Sequence, residues 1–424
     1  MTHFLYNLLL TGLLLFYVPY RWIQVLLGKR PRSLLKERLG GYPDLASKRP
    51  LWVHAASVGE VLCCIPLLKR IRTEIPDLTV LLTTMTSTGR ETAKRLLPEI
   101  DGVLYFPLDH PLLIRRVLKR LNPRLLMIAE TELWPNLLVR SGRRSLPVVL
   151  FNGRISERSL RGYLWLRPFF KRSLHAIQLF LMQTEEDRGR IITIGAPPER
   201  TEVVGNIKFD QIPPPLETES IQELLASLKL QGNEPLLIAG STHAGEEEIL
   251  LDVFQDLRKA HPSLTLLLAP RHLDRLAQVE KLLIERDLPW ERRSHRSAQK
   301  GSEAKVILLD TMGELMKLYR LGTLVFIGGS LVSIGGHNPL EPLFYKRCVL
   351  FGPYMFNFLE ISRRLTAEGG AVLVKDKEDL SAQLRRLLSD EKTRREIGEK
   401  GFQFLQRHRG ATDRIVDKIR PFLL

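Results

Sequence analysis

Short apolar runs alternate with amphipathic stretches through most of this chain. In the first half the runs cover residues 51–55, 79–83, 102–106, 125–129, 148–151 and 179–182. The rhythm restarts after three consecutive prolines, with runs at 236–239, 264–269, 306–309, 323–327, 349–351 and 372–374. Continuous apolar runs of this length, separated by helical periodicity, are typical of parallel strands buried on both faces. The pattern predicts an α/β fold with two doubly wound domains.

The restart also predicts the domain boundaries. We expect a membrane anchor in residues 1–30, a first α/β domain in residues 31–212 and a linker in residues 213–222. A second α/β domain with tail helices occupies residues 223–424. Ligands of doubly wound sheets bind at the carboxyl ends of the strands, so we expect the site in a cleft between the two domains.

The first segment is apolar enough to enter a membrane. Residues 4–20 contain no charged side chain, and between residues 21 and 50 there are eight Lys and Arg against two Asp and Glu. About 20 apolar residues span a bilayer as a helix, while an amphipathic helix lies in the interface. A cleaved signal peptide would carry its basic residues before the apolar core. The segment therefore predicts an anchor that spans the membrane or lies in its surface, with the domains on the cytoplasmic side.

Composition narrows the class of partner. The formal net charge of the 424 residues is +16, which favours nucleic acid, phosphorylated lipid or an acidic membrane surface. No helix-turn-helix, zinc finger or aromatic-basic RNA motif supports nucleic acid. The three cysteines, Cys63, Cys64 and Cys348, form no CxxC pair and indicate a reducing compartment. Without zinc spacing or an Asp-x-Asp motif, we expect no obligatory metal or other cofactor.

Charged residues follow several predicted strands of the first domain. Glu60 comes after a loop of small residues, where it either complements the dipole of the next helix or accepts a proton from a substrate hydroxyl. Glu130 and Glu132 follow the fourth strand, and two like charges at the edge of a site are costly unless they are paired. Lys208 lies just before the linker. Each residue alone has a structural interpretation, but together they predict a site.

The second domain carries a Gly-rich segment directly after the run at 323–327. It reads Gly-Gly-Ser at 328–330 and then Gly-Gly-His-Asn-Pro-Leu-Glu-Pro at 335–342. We expect the small residues, and a helix begun by Pro339, to point free backbone N–H groups at a phosphate. Glu341 would then bind the hydroxyls of a ribose. The alternative is a tight turn before a capped helix.

Other strands of this domain also end in polar residues, namely Ser241, Arg271 with His272, and the segment 310–314. Arg271 suits a phosphate because its planar guanidinium offers paired donors and keeps its charge. Polar side chains at successive strand ends predict a nucleotide site.

Seven segments of the chain resemble the 3-deoxy-D-manno-octulosonic acid (Kdo) transferases. They are HAASVGE, AETELWPN, GNIKFD, GSTHAGEEE, APRH, DTMGEL and GGSLVSIGGHNPLEP, and they extend from residue 54 to residue 342. The resemblance implies a GT-B glycosyltransferase with two Rossmann-like domains facing a cleft, at the cytoplasmic face of the inner membrane. It also implies inverting, metal-independent transfer of Kdo from CMP-Kdo to a lipid A precursor (lipid IVA) in lipopolysaccharide assembly.

The resemblance implies roles for individual residues as well. Glu60 is the expected general base, Glu130 and Lys208 assist the transition state, and Glu132 is a weaker candidate for a structural role. The residues expected to bind CMP are Pro270, Arg271, Met312, Gly313, Glu314, Asn338, Pro339, Leu340 and Glu341. Ser241, on geometry alone, and His272 are further candidates for contacts with phosphate or Kdo.

The basic charge is concentrated in the first domain. Between residues 140 and 172 nine Lys and Arg accompany one acidic residue, Glu157. Such a run is either a solvated helix face or a surface for lipid phosphates on an anionic membrane, where each basic group contributes on the order of 1 kcal/mol. Two other functions stay open: a GT-B enzyme that uses a UDP- or ADP-sugar, and a non-catalytic membrane scaffold of the same fold.

Overall fold

The structure, a computed structural model, describes residues 2–28, 32–210, 221–232, 234–295 and 304–423. It divides into two compact units, Met1–Gln211 with His408–Leu424, and Ile212–Arg407. The predicted linker at 213–222 lies outside the described residues except for its last two positions, which begin a helix.

The first unit contains a parallel sheet of seven strands in the order β3-β2-β1-β4-β5-β6-β7. The strands are β1 (Leu51–His54), β2 (Val80–Thr84), β3 (Gly102–Tyr105), β4 (Leu125–Ala129), β5 (Val148–Gly153), β6 (Leu179–Met182) and β7 (Thr201–Val203). The strand order reverses between β1 and β4, which is where doubly wound sheets bind ligands.

Helices cover both faces of this sheet. They are α1 (Thr2–Leu26), α2 (Arg32–Arg38), α3 (Val58–Glu74), α4 (Ser87–Leu96), α5 (Pro111–Leu121), α6 (Pro135–Gly142), α7 (Glu157–Trp165), α8 (Arg167–Leu174) and α9 (Glu185–Ile194). Successive strand residues point to opposite faces, so Leu51 and Val53 pack in one core and Trp52 packs in the other. Burial on both faces explains why the strands read as continuous apolar runs.

The second unit repeats the plan with a parallel sheet in the order β10-β11-β9-β8-β12-β13-β14. Its strands are β8 (Leu236–Thr242), β9 (Thr265–Pro270), β10 (Trp290–Arg292), β11 (Val306–Leu308), β12 (Leu324–Ile327), β13 (Cys348–Phe351) and β14 (Val372–Leu373). Its helices are α10 (Ile221–Ser227), α11 (Glu246–Ala260), α12 (Leu276–Glu285), α13 (Leu315–Leu318), α14 (Leu340–Leu343), α15 (Leu359–Ala367), α16 (Lys377–Ser389) and α17 (Glu391–His408). Here the order reverses between β8 and β12.

The last helix, α18 (Ala411–Leu423), corrects the predicted domain boundary. The sequence placed all of residues 223–424 in the second domain, yet α18 belongs to the first unit. Its buried side chains, among them Ile415 and Ile419, join the core that also contains Leu67 of α3. The Asp210 carboxylate accepts the N–H groups of Gly410 and Thr412, each at 2.6 Å, and so caps the start of α18.

The first helix, α1, is long and apolar enough to cross a membrane by length and composition. It contains Pro19 and carries no acidic residue in its first turn. Many of its large apolar side chains are exposed, including Phe4, Leu15 and Phe16. This is consistent with the predicted anchor.

Candidate active site

The first unit places two predicted acids at its switch point. β1 ends at His54, which is paired in register with Ile128 of β4. Glu60 follows β1 in the first turn of α3, and Glu130 directly follows β4. Because neighbouring parallel strands end at the same edge of a sheet, both carboxyl groups belong to that edge.

Glu60 is held by hydrogen bonds at the start of α3. Ser57 is the N-cap, and its hydroxyl accepts from the Glu60 N–H at 3.3 Å and donates to Glu60 Oε1 at 2.9 Å. Glu60 Oε2 accepts from the Ala56 N–H at 2.8 Å. These contacts cap the start of α3 and hold the carboxylate in position.

The surroundings of Glu60 raise the pKa of its carboxyl group from 4.5 to about 7. Burial is the largest cause, because the side chain is only 8% exposed. The charges of Glu130 and Glu132 raise the pKa further, while the hydrogen bonds from Ala56 and Ser57 oppose the shift. A carboxylate with a pKa near neutrality is suited to take and release a proton.

Glu130 is paired with an arginine that sequence reasoning missed. Arg154 Nε donates to Glu130 Oε2 at 2.8 Å, from the residue directly after β5. Glu130 has a left-handed backbone, φ 54°, which a non-glycine residue adopts at a cost. Burial, followed by the charge of Glu130, raises the pKa of Glu132.

Lys208 lies on a short 3-10 helix, Ile207–Asp210, beside α3. Buried Asn152 at the end of β5 holds this helix, because its Oδ1 accepts from the Ile207 N–H at 3.1 Å. The Lys208 N–H donates to Asn206 Oδ1 at 2.9 Å. The backbone around Lys208 is therefore fixed to β5.

The pKa of the buried Cys63 thiol indicates that the charged side chains of this region lie close together. Burial raises the pKa of Cys63 in α3 to about 12. The charges of Lys208 and Arg154 act on this thiol to lower its pKa, and those of Glu130 and Glu60 act to raise it. Since the effect of a charge falls with distance, all four groups lie near this thiol. The three residues predicted as catalytic thus share one neighbourhood, in which Arg154 is paired with Glu130.

In the second unit the Gly-rich segment differs from the prediction. The N–H groups of Gly329, Ser330 and Leu331 are not free for a phosphate, because all three donate to the carboxylate of Glu246, at 2.6, 2.9 and 2.9 Å. Glu246 is fully buried at the start of α11 and also accepts from the His243 N–H at 3.1 Å. The segment that resembled an anion site is occupied by the protein's own carboxylate.

The helix predicted to begin at Pro339 begins one residue later. α14 covers four residues, Leu340–Leu343, with Pro339 as its N-cap. Asn338 forms the turn before it, where its Oδ1 accepts from the Leu340 N–H at 3.1 Å and its Nδ2 donates to Glu341 Oε1 at 3.2 Å. Burial raises the pKa of Glu341. Asn338 and Glu341 therefore form one polar unit after β12.

Arg271 lies in the same region as this polar unit. Its positive charge lowers the pKa of His337 and acts on Glu341. For His337 burial is the larger cause, and the pKa falls to about 4. His337 Nε2 lies 2.8 Å from His243 Nε2. Arg271 itself is exposed, with its backbone N–H bound to the carbonyl of Thr242 at 3.0 Å.

The remaining predicted residues lie at neighbouring strand ends. Pro270 is the last residue of β9, and the ring of His272 packs edge-on to His243, with centroids 5.6 Å apart. Ser241 has a left-handed backbone, φ 58°. A Cβ on Gly328 would lie 2.3 Å from the carbonyl oxygen of Ser241, so the residue after β12 has to be glycine.

The segment 312–314 follows β11 and is anchored by its glutamate. Burial opposes ionisation, but a hydrogen bond from Thr311 and the charges of Arg293 and Lys317 lower the pKa of Glu314. Met312 is 70% exposed, and Gly313 has a left-handed backbone, φ 85°. The structure thus fixes Glu314 and leaves Met312 accessible.

No group of three or more His, Cys, Asp and Glu side chains is arranged to hold a metal ion within the described part of the chain. The three cysteines are buried and free.

Comparison with known proteins identifies the family. A family model described as 3-deoxy-D-manno-octulosonic-acid transferase (kdotransferase) matches residues 33–211. A 3-deoxy-D-manno-octulosonic acid transferase of Haemophilus influenzae is 37% identical over 400 residues, which cover 93% of this chain and 92% of that protein. The chain belongs to the Kdo transferase family. The enzyme of the same name from Bordetella pertussis is 31% identical and covers 91% of this chain and 90% of its own.

Solved structures support the GT-B type of fold for this Kdo transferase. The UDP-GlcNAc 2-epimerase of Neisseria meningitidis superposes with a TM-score of 0.59 at 14% identity, over 88% of this chain and all of the epimerase. At that identity the likeness concerns the fold alone. The predicted fold class is confirmed, with one parallel α/β sheet in each unit.

Proposed function

We propose that this Kdo transferase moves Kdo from CMP-Kdo to a lipid A precursor of the lipid IVA type, in lipopolysaccharide assembly. Glu60 acts as the general base, the anomeric centre is inverted, and no metal is needed. The observation that carries the proposal is Glu60 itself, a buried carboxyl group with a pKa of about 7 at the switch point of the first sheet. The motifs shared with the Kdo transferases supply the donor and the acceptor.

In the proposed reaction the acceptor's primary hydroxyl oxygen bonds to the anomeric carbon of Kdo. The bond from that carbon to the phosphate oxygen breaks, and CMP leaves with the electron pair. Glu60 takes the hydroxyl proton as the new bond forms, when the hydroxyl has become acidic. Lys208 and Glu130 assist by charge and positioning, and the ion pair with Arg154 orients Glu130.

For the donor, we assign the CMP site to the residues at the carboxyl edge of the second sheet. Arg271 offers the phosphate a charged, bidentate donor, and it is exposed and so accessible. The segment after β12 contributes Asn338, Pro339, Leu340 and Glu341, which include the polar unit. Pro270 lies at the end of β9. Met312, Gly313 and Glu314 complete the site, with Ser241 and His272 as further contacts.

The Gly-rich backbone contributes to this site by shape and not through free amides. Glu246 has already bound the N–H groups of Gly329 and Ser330. Arg271 and other side chains therefore stabilise the negative charge of the departing phosphate. The enzyme is placed on the cytoplasmic side of the inner membrane, with anionic lipid and the lipid A precursor as partners.

The rate of transfer is expected to depend on the ionisation of Glu60. Because the pKa of Glu60 is about 7 and its carboxylate is the active form, kcat/KM should decrease as the pH falls below 7. A glutamate with the usual pKa of 4.5 would give this decrease at a much lower pH. Glu132→Gln removes a charge that raises the pKa of Glu60, so it should move the acid limb to lower pH. The measurement is kcat/KM from pH 5 to 9 for both proteins. An acid limb near pH 4.5 in the wild type would contradict the role of Glu60.

Nucleotide binding tests whether the donor carries CMP and distinguishes this proposal from the alternative of a UDP-sugar donor. CMP should bind the wild type more tightly than UDP, and Arg271→Ala should weaken CMP binding by about 10–100-fold, the range of a charged hydrogen bond. His261→Ala, at the end of α11, is the matched control and should bind CMP normally. Calorimetric titration of each protein with both nucleotides measures this. Tighter binding of UDP would favour a different sugar nucleotide.

A further inference from the structure

The first helix of the chain has two different faces. Every third or fourth residue from His3 to Val25 is partly buried, while the positions between them are exposed. Phe4, Leu8 and Leu15 lie on the exposed side, between 57% and 74% accessible. A helix surrounded by lipid would need no such division, whereas a helix that lies along a protein surface produces it.

Polar contacts fix the N-terminal end of α1 to the first unit. The Tyr6 hydroxyl donates to Asp109 Oδ2 at 3.1 Å, and Asn136 Nδ2 donates to Asn7 Oδ1 at 2.8 Å. Asp109 is buried and also accepts from the backbone N–H groups of Asn136 and Leu137, at 2.9 and 2.8 Å. These partners belong to the folded domain, at the start of α6 and just before α5.

The other end of α1 is fixed to the same unit. Trp22 and Val25 line one cavity together with Leu35 and Leu39, which belong to α2 and the turn after it. Twenty-five residues make a helix about 37 Å long, and the hydrocarbon core is about 30 Å thick. If α1 crossed the bilayer, its N-terminus would lie on the far side and could not contact Asp109. Both ends lie against one unit, so the helix runs along that unit's surface.

We propose that α1 lies in the plane of the membrane instead of crossing it. Its exposed apolar face, together with Trp165 and Leu112, forms one docking surface for a bilayer that contains anionic phospholipid. Phe169 of α8 packs against His3 and Tyr6, with ring centroids 4.6 and 5.3 Å apart, and so connects the α7–α8 corner to α1. Trp165 at that corner is 83% exposed.

Charge complementarity selects an anionic bilayer as the occupant. Arg140 and Arg172 lie on α6 and α8, and Arg143 directly follows α6. Asn136 of α6 and Phe169 of α8 contact the N-terminal end of α1, so the elements that hold this end carry arginines. Apolar side chains flanked by arginines are the pattern of helices that lie at a lipid headgroup layer. The basic run at 140–172 thus supports its interpretation as a surface for lipid phosphates. Membrane binding through this surface does not depend on the proposed reaction.

Depth measurements on the full-length protein in vesicles of phosphatidylethanolamine and phosphatidylglycerol test the orientation. Single spin labels are placed at Phe4→Cys, Leu15→Cys and Leu26→Cys, three exposed positions, while the native cysteines are buried. An in-plane helix gives three similar, shallow depths. A maximum at residue 15, with residues 4 and 26 at opposite surfaces, would show a spanning helix and overturn the proposal.

Vesicle flotation tests the docking surface. Trp165→Glu combined with Phe16→Glu should lower the bound fraction on phosphatidylglycerol vesicles by about tenfold or more, because both side chains would enter the headgroup layer. Ile284→Glu changes an exposed apolar residue of the second unit, 67% accessible, and should bind like the wild type. Unchanged binding of the double variant, or equal wild-type binding to neutral phosphatidylcholine vesicles, would overturn the assignment.

Discussion

Glu60→Gln is expected to lower the rate of Kdo transfer by about 10²–10⁴-fold, the usual contribution of a general base, with CMP binding unchanged. Glutamine keeps the size of the side chain and one oxygen for the contacts with Ala56 and Ser57. It cannot accept the acceptor's proton. Single-turnover transfer and calorimetric titration with CMP, on the same preparation, measure the two quantities separately.

Ser57→Ala is the matched control for this variant. It removes the hydroxyl that caps α3 and contacts Glu60, which costs about 1 kcal/mol of stability, but it keeps the carboxylate and its hydrogen bond from the Ala56 N–H. We expect a lower unfolding midpoint and transfer within a few-fold of the wild type. If Glu60→Gln turns over at nearly the wild-type rate, Glu60 is not the base.

Glu246→Ala is expected to destabilise the second unit by about 2–6 kcal/mol, because it leaves the buried N–H groups of Gly329 and Ser330 without a partner, at a cost of about 1–3 kcal/mol each. The carboxylate accepts from Gly329, Ser330 and Leu331. Without it, the loop after β12 loses the contact that joins it to α11. Denaturant unfolding, with CMP binding as a second readout, should show both effects.

Two variants sharpen this result. Glu246→Gln should also destabilise, since its amide nitrogen would face N–H donors whichever way the group turns. Glu248→Ala, two positions on, removes one contact with the Gly245 N–H at 2.9 Å and should cost about 0.5–1.5 kcal/mol. Equal stability of Glu246→Gln and the wild type would mean that the carboxylate does not hold the loop.

Hydrophobic pattern predicted most of the two sheets. The structure has strands at all twelve apolar runs, with ends that differ by at most three residues, because most of these runs are buried on both faces. β7 and β10 were missed, since three residues such as Trp290–Arg292 at a sheet edge are only partly buried and carry no continuous apolar signal. The return of α18 to the first unit was also missed, because an amphipathic helix does not specify which core it covers.

The candidate site was predictable where its residues directly follow strands. Glu130 directly follows β4 and Glu60 follows β1 after a short loop, and strand order brings the ends of these two strands together. Arg154 also follows a strand, yet its pairing with Glu130 requires knowing that β5 lies beside β4. Glu246 was harder, since it lies 83 residues from the Gly329 N–H that it binds, and a run of three glutamates reads as an ordinary helix start.

The correction at the Gly-rich segment changes how the donor site is understood. Small residues after a strand predicted free amides for a phosphate, a general property of helix starts. In this chain they allow close approach instead, since Gly328 packs against the carbonyl of Ser241 and the following amides bind Glu246. In the proposed donor site, recognition of the phosphate is therefore assigned to Arg271 and its polar neighbours.

The central claim is tested most directly by following the product. Purified full-length protein is incubated in EDTA with freshly generated CMP-Kdo and a tetra-acylated lipid A precursor, and the lipid is analysed by mass spectrometry. We predict a mass increase of one or more Kdo units in the wild type and none in Glu60→Gln. An unchanged lipid mass in the wild type, with CMP bound normally, would contradict the account and favour a non-catalytic scaffold or another acceptor.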